Sequence, residues 1–391
     1  DQFKNPVSDF IPVARISDML LEPGELFSYN GKEIKYPDIK LVYWAGGNPF
    51  HHQMNLKKLV KAFKRPDSII VNEIWWNSLA RHSDIILPAT SSLEKNDIGI
   101  RHWDQTISPM HKIIEPIGES KSDYEIFSAI SSKLNFKDKF TENRNEDQWL
   151  RYLWEEAKEG AKEASFNLPE FDKFWKNGFQ EVLSPKKQTI LLEEFIKDPI
   201  KNSISTPSGK IEIFSETIES FNYNDCPGHP AWLEQEEWLG SPLTKQYPLQ
   251  LISGQPHNRL HSQLDNGSES QKDKISGREA VKIHPHDALT RKLKDGDIVE
   301  IFNKRGKCLA GVIISKEVMQ GVIFLPVGAW YDPIDDGGFC VHGNPNVLTE
   351  DIGTSSLSQG PSAHSTLVEV KKFVKELPPI NIFQKPVIVN K

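Results

Sequence analysis

Four polar stretches of this chain hold residue types suited to gripping an anion or a flat heterocycle, and none presents a convincing nucleophile. The first is Gly46-Gly47-Asn48-Pro49-Phe50-His51-His52, directly after the apolar run Leu41-Val42-Tyr43-Trp44-Ala45. A strand ending in paired glycines lets backbone N–H groups approach an anion closely, at the sheet edge where ligands of open parallel sheets bind. Glu73 ends the next apolar run, Ser68 to Val71 and beyond, where a ribose hydroxyl would be accepted. A plain tight turn and a solvated carboxylate explain the same residues equally well, since neither GxGxxG nor GxxxxGK(S/T) occurs.

The second stretch runs from Trp75-Trp76 to Ala80-Arg81-His82-Ser83-Asp84. Arg81 offers a planar donor set for phosphate or base stacking, while Asp84 reads as a cap or turn residue. His82, beside that cation, is a poor metal ligand. The third is Gln255-Pro256-His257-Asn258-Arg259-Leu260-His261-Ser262-Gln263. His257 and His261 have metal-ligand spacing, but Asn258 replaces the glutamate of a metalloprotease helix and Arg259 puts a cation between the imidazoles. Donors without a carboxylate suit phosphate or a carbonyl-rich ligand better. The fourth, His342 to Gly360, includes Asn344, Asn346, Gln359 and Gly360. Its amides either close Asx-turns or read the edge of a lactam or aminopyrimidine.

The elements that must position these stretches show in the hydrophobic pattern. Leu41–Ala45, Ser68–Val71 and Ile85–Leu87 read as buried strands. A helix capped by Asn55, carrying Leu56, Leu59, Val60 and Phe63, lies between the first two, which is the pattern of a parallel sheet. From about residue 120 the period becomes helical. Ser122 with Glu125 forms a capping box, Trp149 to Ala157 line a second helix, and a third runs from Pro169 to Gly178. The charges from Glu155 to Glu163 read as a solvated helix face. After 245 come short strands: a hairpin of Ile298–Phe302 with Leu309–Ile314, then Val322–Leu325 and Leu367–Val370, as in a small β-barrel. The end, Pro378 to Pro386, reads as an extended tail.

Composition limits the classes. A hydrophobic fraction of 38%, with no apolar run long enough for a bilayer, predicts no membrane span. A net charge of −7 argues against nucleic acid as a partner. The three cysteines, Cys226, Cys308 and Cys340, form no CxxC pair, so zinc-ribbon and iron–sulfur chemistry lacks ligands.

Taken together, the polar stretches resemble the dimethyl sulfoxide reductase family of molybdopterin oxidoreductases, and more narrowly its trimethylamine N-oxide and biotin sulfoxide reductase branch. The runs that carry the resemblance are GGNPFHHQ (46 to 53), ARHSDIILPATSSLEKNDIG (80 to 99), TPSGKIEIFSETI (206 to 218), RLHSQL (259 to 264) and NPNVLTEDIGTSSLSQG (344 to 360). The implied fold class is α/β: a Rossmann-like parallel-sheet domain (1–119), a helical and mixed connecting region (120–245), and a carboxy-terminal six-stranded double-psi β-barrel (246–391). The implied cofactor is molybdenum bis(molybdopterin guanine dinucleotide). By position, Gly46, Gly47, Asn48, His51 and Glu73 resemble the turn and acidic residue that hold one guanosine, with Arg81 and His82 in the matching loop. His257, Arg259, His261, Ser262 and Gln263 resemble contacts to pterin and pyrophosphate. Asn346, Gln359 and Gly360 correspond to barrel residues touching the pterins.

The activity so implied is transfer of oxygen from a small S-oxide or N-oxide to the reduced metal, with electrons from a donor protein. In this branch a serine from an amino-terminal region ligates molybdenum, and that region has no counterpart here. The expectation is therefore no metal ligand in this chain, catalytic residues upstream, and a half-site inactive without the amino-terminal half of the enzyme. The expected compartment is the periplasm, with the cytoplasm as the alternative. A non-catalytic nucleotide-binding module is the rival from another class.

Overall fold

A computed structural model describes residues 7, 10–101, 105–163, 166–182, 190–335 and 338–387. The chain divides into two compact units, each discontinuous in sequence. The first comprises residues 1–71, 75–85 and 213–391; the second comprises 72–74 and 86–212.

The start of the α/β part follows the expected alternation. Strand β1 (Leu41–Ala45) leads into a one-turn helix α1 (Pro49–His52), helix α2 (Leu56–Phe63), β2 (Ser68–Glu73) and β3 (Ile85–Pro88), with sheet order β1-β2-β3. Helix α2 forms because Leu56, Leu59, Ala62 and Phe63 recur at spacings of three and four, and all four are buried. Its start is set by Asn55, whose Oδ1 accepts from Lys58 N at 3.3 Å. β1 is not the buried strand its composition predicts: Leu41 is 55% exposed and Ala45 is also exposed. Position in the sheet explains this, since β1 and β3 are edges whereas β2 has a neighbour on either side and buries Ile69, Val71 and Asn72.

The carboxy-terminal part of the first unit is a closed barrel. Its strands are β4 (Leu249–Ile252), β5 (Ala280–Ile283), β6 (Ile298–Phe302), β7 (Lys307–Ile314), β8 (Val322–Phe324) and β10 (Leu367–Lys372), with β9 (Phe339–Cys340) appended to β7. Around the ring the order is β5-β8-β4-β10-β6-β7, and the parallel β5–β7 pairing closes it. The chain crosses from β4 to β5 with β8 between them, and from β7 to β8 with β5 between them. These two interlocked crossings make the double-psi arrangement. Closure leaves none of the six with a free edge, so long apolar strands can be buried without inviting aggregation. Val299, Ile301, Ala310, Val312 and Ile323 fill the interior at 1% exposure or less.

The second unit carries the helices, α3 (Asp123–Lys133), α4 (Glu146–Glu163) and α5 (Phe171–Asn177) among them. Ser122 and Glu125 close the expected capping box, and Gly178, at φ +87°, ends α5. Trp154 stacks on Phe174 with centroids 3.8 Å apart, inside a cluster completed by Ile107, Leu150 and Phe171. Among the described residues, no helix is long and apolar enough to cross a membrane.

Candidate functional site

Within the first unit the Gly46–His52 turn meets the Gln255–Asp265 loop. Gly46 and Gly47 both take left-handed backbone (φ +83° and +86°), which other residues adopt at a cost. A Cβ on Gly46 would touch nothing within 4 Å, so the turn faces open space. Asn48 then caps α1, its Oδ1 accepting from Phe50 N at 3.1 Å. Its other end, Nδ2, donates to Ser262 Oγ at 3.3 Å. Three residues on, His51 Nε2 lies 3.1 Å from His261 Nδ1. Gln255 reads the same loop twice: its Oε1 accepts from His261 N at 3.2 Å and its Nε2 donates to His261 Nδ1 at 2.9 Å.

That arrangement assigns the His261 tautomer. Gln255 Nε2 can only donate, so His261 Nδ1 accepts from it and the neutral His261 ring carries its proton on Nε2. The other nitrogen of His51, Nδ1, is buried with no hydrogen-bond partner among the described residues. Burial, reinforced by the neighbouring His261, pushes the His51 pKa down to about 4, so the ring is neutral at physiological pH.

The loop is held under strain. His261 and Leu264 both have φ +53°, a conformation costing on the order of 1 kcal/mol for a residue with a Cβ. Gly328 (φ +101°) packs against it so closely that a Cβ would lie 2.0 Å from His261 O. Trp330 ties the loop at two points, Nε1 donating to Ser262 O and N donating to Asp265 Oδ2, both at 2.8 Å. Beneath lies a buried ion cluster. Arg259 Nη2 and Lys274 Nζ each reach Glu279 Oε2 at 2.8 Å, and Lys274 Nζ also reaches Asp265 Oδ1 at 2.9 Å. Two cations balance two carboxylates. Burial alone would raise the Asp265 pKa, but the buried cations Lys274 and Arg259 outweigh it and hold it low. His342, fully buried, is driven down to about 3 by burial and by Lys274, and so stays neutral while its Nδ1 donates to Trp330 O at 2.9 Å.

The remaining predicted residues fall in several places. Arg259, offered by the sequence to a pyrophosphate, has a side chain only 2% exposed with its guanidinium paired to Glu279; as placed, it anchors the loop. His257 is exposed, 3.6 Å from Asp273, and Gln263 is exposed on the loop. Asn346 is buried with both amide ends used, Nδ2 donating to His51 O at 2.6 Å and Oδ1 accepting from Thr349 Oγ1 at 3.0 Å. It fixes the α1 turn from below. Gln359 (φ +52°) donates through Nε2 to Ser28 O at 2.8 Å, and Gly360 O accepts from Thr354 N. Arg81 donates to the carbonyls of Trp76, Ile382 and Gln384. His82 stacks on Phe50 at 4.3 Å, with Nδ1 2.7 Å from Ser78 O; burial lowers its pKa. Glu73 belongs to the second unit, where its Oε1 accepts from Ile74 N at 2.9 Å.

The residues brought together are thus Gly46, Gly47, Asn48, His51, Gln255, His261 and Ser262. They present polar donors and acceptors on a rigid support. Sequence reasoning missed Asp265, Lys274, Glu279, Gly328 and Trp330, none of which stands in a motif. Among the described residues, no group of three or more His, Cys, Asp or Glu could hold a metal ion.

Comparison with known proteins places the chain in a family. Residues 12–133 match the family described as "Molybdopterin oxidoreductase", and 249–367 match the "Molydopterin dinucleotide binding domain". The chain is 44% identical over 384 residues to a trimethylamine-N-oxide reductase of Haemophilus influenzae, covering 96% of this chain and 46% of that protein. It is likewise 44% identical over 371 residues to a biotin sulfoxide reductase of Cereibacter sphaeroides, with coverage of 95% and 50%. It therefore spans about half the length of the relatives it matches. Acetylene hydratase from Pelobacter acetylenicus shares the fold, with a TM-score of 0.66 at 17% identity over 92% of this chain and 46% of that one. Fold, domain content and relatives agree: the chain belongs to the molybdopterin oxidoreductases, among which it is similar to the trimethylamine N-oxide, dimethyl sulfoxide and biotin sulfoxide reductases.

Proposed function

We propose that this chain is the cofactor-gripping carboxy-terminal part of a molybdenum-dependent reductase that removes oxygen from S-oxides or N-oxides, such as dimethyl, biotin or methionine sulfoxide and trimethylamine N-oxide. What supports the reading most is the meeting of the 46–53 and 259–264 runs through Asn48–Ser262 and His51–His261, in a chain 44% identical to such a reductase. The cofactor proposed is a pair of molybdopterin guanine dinucleotides on one molybdenum, with the metal ligand, the amino-terminal part and an electron-donor protein lying outside this chain.

The residues present fit such a group. Gly46 leaves open space at a left-handed turn, and His51 Nδ1 is a buried polar atom without a partner among the described residues. When bound, the group supplies the two-electron oxygen-atom chemistry, which protein side chains do not provide. The paired glycines admit close backbone approach, and His261 Nε2–H and the Ser262 hydroxyl are the donors the loop offers. The ion cluster and Trp330 keep those donors from relaxing, as positioning of a cofactor demands.

The test is elemental analysis and nucleotide release on the whole protein. Molybdenum with guanine nucleotide, in a ratio of one to two, is expected. A protein without either favours a non-catalytic nucleotide-binding module instead.

A further inference from the structure

The segment after β10, which its prolines predict to be extended, is packed against the rest of the first unit. Ile382 is 3% exposed, and Ile380 seats over Gly277 so closely that a Cβ there would lie 2.8 Å from its Cδ1. Three charged side chains grip the backbone of this segment. Arg81 donates to the carbonyls of Ile382 (3.0 Å) and Gln384, Arg278 donates to that of Pro378, and Asp332 Oδ2 accepts from Asn381 N and Ile382 N at 2.7 and 3.1 Å. Between them Phe383 is pressed against two rings. Its centroid lies 5.4 Å from that of Trp330 and 4.9 Å from that of His342, edge-on to the latter at 90°.

Those two rings hold the strained loop. Trp330 donates to Ser262 O and Asp265 Oδ2, while His342 donates to Trp330 O. Since His261 and Leu264 sit in left-handed backbone, the loop relaxes wherever its support is removed. Generic packing would not need three charged residues spent on main-chain atoms of one short segment. We propose that segment 378–384 is a strap that fixes the geometry of the 259–265 loop through Phe383 and Trp330, with Arg81 as its latch. Arg81 is then a positioning residue, tied to the loop through the strap. The consequence for cofactor retention rests on the function proposed above, whereas the loop geometry does not.

Hydrogen exchange read by mass spectrometry on the whole protein tests this, comparing Arg81→Ala and Phe383→Ala with the parent. Amides of 259–265 should exchange about tenfold faster in both variants, with β6 and β7 unchanged. Unchanged loop exchange in a variant whose 378–384 amides have become unprotected overturns the proposal. So does an equal rise in β6 and β7 in both variants, which would make the strap ordinary core packing. Because the readout needs no cofactor, it stands apart from the molybdenum analysis.

Discussion

His51 Nε2 and His261 Nδ1 lie 3.1 Å apart although 210 positions separate the two residues in the chain. The contact ties the α/β turn to the loop before β5 within one unit, and it has a pH signature. The folded pKa of His51, about 4, lies below the ordinary value near 6.5. Between those values the unfolded chain binds more protons, so stability is full above about pH 6.5 and is lost as pH falls toward 4. Urea unfolding should show a lower midpoint at pH 4.5 than at pH 7, and His51→Gln should shrink that difference. A pH dependence identical in parent and variant would remove His51 from the account.

Asn48 does two jobs that substitutions can separate. Asn48→Ala loses both the α1 cap and the bond to Ser262 and should cost about 1–2 kcal/mol. Asn48→Asp keeps an acceptor for Phe50 N but loses the donor to Ser262. Denaturant titration should place it between parent and Ala. If Asp proves as damaging as Ala, the cap is not what stabilises this turn.

Glu279 is one of two carboxylates against two buried cations. Glu279→Gln should cost about 3–5 kcal/mol, because Arg259 and Lys274 then face Asp265 alone. The double variant Glu279→Gln with Arg259→Met restores the balance between Lys274 and Asp265. It should recover part of the loss by thermal denaturation; strict additivity of the two changes would show that the four groups do not act as one cluster.

Gly328 and Gly46 make a controlled comparison. Both are left-handed, but a Cβ at Gly328 would meet His261 O at 2.0 Å whereas one at Gly46 would meet nothing. Gly328→Ala should lower the melting temperature clearly more than Gly46→Ala. In the whole protein, Gly46→Ala should instead weaken cofactor retention, read as molybdenum content, because its open side faces the proposed ligand. Equal effects of the two substitutions on melting would contradict the packing shown here.

Short-range signals were readable without coordinates. The capping box of Ser122 and Glu125, the Asn55 cap, the apolar face of α2 and the hairpin of β6 and β7 depend on residues a few positions apart, and the structure has them all. The polar runs were legible as sites for the same reason: seven polar residues in nine, from Gln255 to Gln263, are hard to place in a core. Burial of β1 was misjudged because apolar content does not reveal whether a strand lies at the centre or the edge of a sheet.

Which donors remain free was decided only in three dimensions. Arg259 looks like a phosphate ligand until Glu279, 20 residues later, claims it, and Arg81 until the carbonyls of residues 382 and 384 do. Trp330 stands 68 positions from the carbonyl of Ser262 that it holds. The sequence by itself determined the family, through the resemblance its polar runs carry, and most element types, because these rest on local spacing. Only the tertiary structure decided which side chains face a ligand and which are consumed in holding the others still, because a hydrogen bond reports distance in space and the chain order carries no trace of it.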